Sequence, residues 1–226
     1  MMCTLAATAC SSDLVAEEDP RIEWASVSTP VGNVNVAFVR PDNEGGQDHP
    51  VVFALPWGSG SADLVSSFIQ RYWLTEPGAR GYYVMAPEIL GPSLETDAND
   101  VLPAIFAWMD AEFTYDDENV AIVGASNGGR GLFYAAVAQP DRFQALLGLP
   151  AMYQRDPSNL SVLDGKPIRL IVGELDTPWR DGVEQTRVAL EQVGITPEID
   201  IAGTQGHVLD LQPAGLMDWI DNALGR

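Results

Sequence analysis

The sequence has a single lysine, Lys166, two histidines and two cysteines in 226 residues. Both cysteines, Cys3 and Cys10, fall near the start, so the body of the chain has neither a disulfide framework nor a cysteine-ligated metal site available to it. Past the first residues, no apolar run is long enough to cross a bilayer as a helix. Positive charge is scarce as well, with 12 basic residues against 32 acidic ones and a formal net charge of −20. A surface of that sign repels nucleic acid and anionic lipid, which argues against both as partners. The acids are dispersed instead of forming one block, the pattern of a solvated acidic surface.

The length suits one sizeable core. Residues 20–226 read as one domain behind a leader, 1–19. The leader runs MMCTLAATACSSD: small and apolar residues, a Cys, then a polar acidic stretch. It resembles the end of a bacterial lipoprotein signal, in which the Cys after small residues is lipidated following cleavage. That resemblance implies a lipid anchor at Cys10 and a protein secreted or membrane-anchored outside the cytoplasm. The other reading is a tail of no consequence on a cytoplasmic protein.

Ile22 to Ser28 and Asn33 to Arg40 have strand character and meet at Thr29-Pro30-Val31-Gly32, so a hairpin is expected. Short apolar runs then alternate with segments of helical period. Strands are expected at Val51 to Leu55, Tyr82 to Ala86, Val120 to Val123, Ala145 to Leu149, Ile168 to Val172 and Glu198 to Ile201. Helices are expected near Asp63 to Tyr72 and Val101 to Phe113, then at Gly128 to Ala138, Gly182 to Val193 and Ala214 to Ala223. The alternation predicts an α/β domain with a mostly parallel sheet of about eight strands and helices on both faces. Right-handed crossovers place every strand-to-helix turn at the carboxyl edge, where such sheets bind ligands. The connection from Pro150 to Pro167 is too short for a large lid.

Three segments at that edge carry chemistry. Ala121-Ile122-Val123-Gly124-Ala125-Ser126-Asn127-Gly128-Gly129 is a buried strand entering a G-x-S-x-G turn and then a helix, the pattern of a nucleophile elbow. Gly124 and Gly128 remove Cβ atoms where strand and helix crowd together, which lets a strained backbone present Ser126. The competing reading is a tight turn whose serine caps the helix. A serine hydroxyl needs a base. His49 precedes a strand and so enters at the amino edge, whereas His207, in Gly203-Thr204-Gln205-Gly206-His207, follows the last strand. The base is therefore His207. Of the acids after strand Ile168 to Val172, Asp176 is expected to orient the imidazole; Glu174 lies too close to the strand end, and Asp181 is expected to cap the next helix.

An oxyanion hole needs two donors. The N–H of Asn127 is one candidate. The turn Pro56-Trp57-Gly58-Ser59-Gly60 supplies the other, through Trp57 or Gly58, and the Trp57 ring is a candidate wall for an acyl or aromatic pocket. A plain Gly-rich turn with a core tryptophan is the alternative.

The elbow, the Gly-Glu-Leu-Asp strand ending and the Gly-His element together resemble the α/β-hydrolase superfamily from about Ile22 onward. Gly-Ala-Ser126-Asn-Gly-Gly is similar to the elbow of polyhydroxybutyrate depolymerase-like and feruloyl-type esterases, and to that of prolyl oligopeptidase-type peptidases. The size resembles dienelactone hydrolase-like proteins and small carboxylesterases. The chain order Ser, Asp, His is the one this superfamily uses. Pro56-Trp57-Gly58 departs from the His-Gly that many relatives carry after the corresponding strand, which bears on the second donor. The resemblance implies a serine hydrolase cleaving small-molecule or polymeric carboxylic esters through an acyl-enzyme, with no metal or organic cofactor. A small serine peptidase and a catalytically silent binding protein are the alternatives.

Overall fold

The computed structural model describes residues 19–45, 48–89, 94 and 96–226. Residues 1–18 of the leader, with Cys3, Cys10 and the anchor and export expected of them, lie outside the described residues.

Eight strands form one open sheet in the order β1-β2-β4-β3-β5-β6-β7-β8. Glu23–Thr29 (β1) and Gly32–Val39 (β2) make the expected antiparallel hairpin, and β2 pairs antiparallel with Tyr83–Pro87 (β4). His49–Leu55 (β3), β4, Tyr115–Gly124 (β5), Ala145–Gly148 (β6), Ile168–Gly173 (β7) and Glu198–Ala202 (β8) are parallel. The sequence of β3, Val51-Val52-Phe53-Ala54-Leu55, is apolar at every position because both its faces are covered. Val51, Phe53 and Leu55 join one apolar cluster, Val52 and Ala54 the other.

Each cluster is completed by helices. Ala98–Glu112 (α3), Asn127–Ala138 (α4) and Thr177–Gln192 (α5) cover one face. Ala62–Phe68 (α1), a π-helical continuation through Ile69–Trp73, and Pro213–Ala223 (α6) cover the other. A four-residue helix, Glu76–Ala79 (α2), leads into β4. Between β6 and β7 the chain makes only the 3-10 helix Pro157–Leu163, and no large lid stands among the described residues.

Several boundaries differ from expectation for physical reasons. β5 begins five residues early because Tyr115 pairs with His49 of β3, although its polar first half is only half-buried. α5 begins at Thr177 instead of Gly182, with Pro178 in its first turn, where a missing N–H costs nothing. Asp181 therefore lies inside the helix and does not cap it, contrary to expectation. His49 is buried at the amino edge, its Nδ1 2.7 Å from Gly81 O.

From β3 the chain steps outward to β4, then crosses back to β5 on the other side of β3. The order of the sheet thus reverses between β3 and β5, and their carboxyl ends form the crevice where open α/β sheets bind ligands. Glycine makes the crevice tight. A Cβ at Gly128 would lie 2.1 Å from Leu55 O and 2.5 Å from Pro56 O, and one at Gly124 would lie 2.4 Å from Gly128 O. Gly128→Ala is expected to destabilise the protein by about 3 kcal/mol or more, since only backbone can give way. In contrast, Gly215→Ala, in α6 with nothing within 4 Å, is expected to stabilise by roughly 0.5 kcal/mol through helix propensity. Urea midpoints of the two variants, moving in opposite directions, check the pair.

Candidate active site

Ser126 ends the β5-to-α4 turn with φ 56° and ψ −114°, a conformation that costs a non-glycine residue about 1–3 kcal/mol. Neighbouring backbone holds it there. Ser126 N–H donates to Pro150 O at 2.9 Å, Ala125 N–H to Leu55 O at 3.2 Å, and Gly128 N–H to Pro56 O at 3.0 Å. Ser126 occupies the N-cap position of α4, yet its side chain makes no capping bond. The hydroxyl lies 2.8 Å from His207 Nε2 instead.

Asp176 follows β7 and stands at the N-cap of α5, again without a capping side-chain bond. Its Oδ2 is 2.6 Å from His207 Nδ1. The carboxylate side chain is only 9% exposed, the imidazole 39%. An ionised carboxylate only accepts, so Nδ1 carries the imidazole proton and donates it to Asp176, leaving Nε2 to accept from the Ser126 hydroxyl. The structure thus brings together Ser126, Asp176 and His207 from three different strand ends.

The imidazole is held by a loop that sequence reasoning left unassigned. A Cβ at Gly173 would lie 2.1 Å from Gly206 O, so the acid loop and the histidine loop pass in direct backbone contact. Glu174 N–H donates to Ala202 O and Leu175 N–H to Gln205 O. Glu174 Oε2 accepts the N–H of Thr204, a non-glycine residue at φ 60°. The Gln205 amide spans the loop in both directions: Nε2 donates to Asp210 O and Oε1 accepts from Asp210 N–H. Beyond His207, Leu209 O accepts from Arg71 Nη2 at 2.8 Å and from the Tyr72 hydroxyl. Burial raises the Tyr72 phenol above its ordinary range, which keeps it protonated as a donor. The recoverable signal in the sequence was Gly203-Thr204-Gln205-Gly206, a loop of turn formers around one amide.

The remaining expected positions lie at the neighbouring strand end. Asn127 is the first residue of α4, where an N–H has no intrahelical acceptor. In the turn after β3, Gly58 has φ 65° and Gly60 N–H closes back on Trp57 O at 3.3 Å. The Trp57 ring packs edge-on against Phe68, centroids 5.0 Å apart, and against Tyr72. It is half-buried and belongs to the α1-side aromatic cluster more than to any open pocket. Two cavities, of about 240 and 410 Å³, lie elsewhere, and no residue of this site lines either. Leu175 and Val208, next to Asp176 and His207 in sequence, stay 67% and 58% exposed.

No family model and no curated relative matches the sequence. Similarity to solved structures is extensive. A thermostable esterase superposes with TM-score 0.73 at 15% identity, over 89% of this chain and 62% of that one. An acetyl xylan esterase from Aspergillus awamori gives 0.71 at 14% identity, over 88% and 98% of the two chains. Porphyromonas gingivalis dipeptidyl peptidase 4 gives 0.67 at 17% identity, with 89% of this chain matching 34% of that one. The chain therefore spans under two thirds of the first and about a third of the last. The fold is the α/β-hydrolase fold.

The tie between acid and histidine loops is open to direct measurement. In Glu174→Ala the Thr204 N–H loses its charged acceptor, and amide hydrogen exchange across 203–210 is expected to accelerate by roughly tenfold while α3 and α4 exchange as before. Unchanged exchange in that loop would show that Glu174 does not restrain it.

Proposed function

We propose that the protein is a serine hydrolase that cleaves carboxylic esters through a covalent acyl-serine. The observation that carries this reading is the continuous relay from Asp176 Oδ2 through the His207 imidazole to Ser126 Oγ, with contacts of 2.6 and 2.8 Å.

In the proposed mechanism His207 Nε2 takes the Ser126 proton as Oγ attacks the ester carbonyl carbon. The carbonyl π electrons move to oxygen. That oxyanion is stabilised by the N–H of Asn127 and by an N–H of the Trp57 to Ser59 turn, donors aimed where charge develops. Asp176 holds the imidazole in the required tautomer and stabilises its charged form. Collapse breaks the carbon–alkoxide bond, and the alkoxide leaves as an alcohol with the proton from Nε2. Water then attacks the acyl-serine with the same imidazole as base, releasing the acid and restoring Ser126. Strain at Ser126 supports the assignment, because backbone anchors hold the hydroxyl over the crevice at a cost no simple turn requires. The exposed Leu175 and Val208, next in sequence to Asp176 and His207, suit an apolar part of the substrate.

The test is turnover of a graded series of para-nitrophenyl esters, with matched para-nitroanilides to separate ester from peptide-type amide hydrolysis. Ser126→Ala is expected to lower kcat by about a million-fold, and Asp176→Asn by about ten-thousand-fold. Activity that survives in Ser126→Ala would overturn the assignment; anilides cleaved faster than esters would make the enzyme a peptidase.

A further inference from the structure

Arg130 lies one helical turn beyond Ser126, and its backbone N–H donates to Ser126 O at 3.0 Å. Its guanidinium carbon stands 5.1 Å from the centroid of the Trp179 ring. The same indole neighbours the His207 imidazole, ring centroids 5.1 Å apart at 44°. A cation and the proposed base therefore share one indole as neighbour, the cation and the indole coming from the first turns of α4 and α5.

Among the part-buried arginines this one stands out because no acid of the described residues pairs with it. The chain carries 32 acidic residues against 12 basic ones. The other part-buried arginines, Arg80, Arg142, Arg169 and Arg187, each bridge at least one carboxylate. Among the described residues Arg130 has no ion-pair partner and no side-chain hydrogen bond, and its Nε is buried without a partner. The Nη groups are not among the buried unpaired atoms, so they reach solvent. A chain with surplus carboxylates leaves this guanidinium open and accepts the cost of a desolvated Nε beside it.

We propose that Arg130, resting on the Trp179 face, is a carboxylate-recognition point, and that the preferred substrate is an ester bearing a free carboxylate. This rests on the serine-hydrolase reading and narrows its substrate class. The free Nη pair matches the two oxygens of one carboxylate in a bidentate contact. A dianionic phosphate would call for more cations than this single one, in a protein whose overall field opposes anions. The same field makes a local cation necessary if an anionic ester is to dwell at the site.

The experiment compares matched esters that differ only in charge. On the acyl side, para-nitrophenyl hemiglutarate is set against its methyl-capped diester. On the alcohol side, the acetyl ester of para-hydroxybenzoate is set against that of methyl para-hydroxybenzoate. Wild type is expected to prefer the charged member of one pair, and the kcat/KM ratio of charged to neutral ester is expected to fall roughly 10- to 100-fold in Arg130→Gln, with partial recovery in Arg130→Lys. No preference in either pair, or an unchanged ratio in Arg130→Gln, would overturn the proposal and leave Arg130 a stacking residue. Thermal shift with glutarate gives a readout free of turnover: glutarate is expected to raise the Tm of Ser126→Ala and not of Ser126→Ala/Arg130→Gln. An Arg130-dependent shift without any ester turnover would keep the anion site and sink the hydrolase reading. Turnover with no Arg130-dependent ratio or shift would do the reverse.

Discussion

Close backbone approach at the carboxyl edge of the sheet is the constraint on which the arrangement depends. Gly124, Gly128 and Gly173 each sit where a Cβ would press within 2.4 Å of a carbonyl oxygen of another segment. Gly129 does the same against Pro150 O, at 2.1 Å. These contacts draw the ends of β3, β5, β6 and β7 and the loop after β8 into one small region. Three side chains distant in sequence then come within hydrogen-bond range without any long excursion of the chain. Rigid strands fix the positions, and the loops between them have little freedom left.

Order at the site comes from backbone and neutral polar groups far more than from charge. The ion pairs of the acidic surface are mostly solvent-exposed, as with Arg40 to Glu23 and Arg187 to Glu184, and such pairs contribute little to stability. The histidine loop is instead pinned by the Gln205 amide, by the buried Tyr72 phenol and by backbone bonds to the acid loop. Two carboxylates act there: Asp176 accepts from the imidazole, and Glu174 holds a residue in left-handed backbone conformation. Arg130 stands apart from this pattern as a part-buried cation that no acid of the described residues pairs with.

Much of the architecture was legible in the sequence because its signals are short-range. Runs such as Val51 to Leu55, fully apolar and bounded by turn formers, read as buried parallel strands. G-x-S-x-G between an apolar strand and a helical period locates the elbow, and with two histidines on opposite sheet edges the choice of His207 needed only topology. Features that depend on a partner distant in sequence were not legible. The polar half of β5 is a strand only because Tyr115 pairs with His49. The first turn of α5, Thr-Pro-Trp-Arg-Asp, has no helical period of its own, so Asp181 was placed at its cap when it lies within. Trp57 sits in a glycine-rich turn, and only the packing of Phe68 and Tyr72 reveals that its ring turns inward. The neighbourhood of Arg130, Trp179 and His207 spans two helix starts and a loop and has no motif at all.

The central claim is that Ser126 is a nucleophile activated by His207, and covalent capture tests it most directly. A fluorophosphonate probe phosphonylates a serine whose hydroxyl gives up its proton to a neighbouring base as it attacks. Intact-mass and peptide mass spectrometry of the treated protein should find one adduct per chain, on the peptide containing Ser126, absent in Ser126→Ala and formed far more slowly in His207→Ala. No adduct on the wild-type protein, or an adduct that persists on another residue when Ser126 is replaced, would contradict the account.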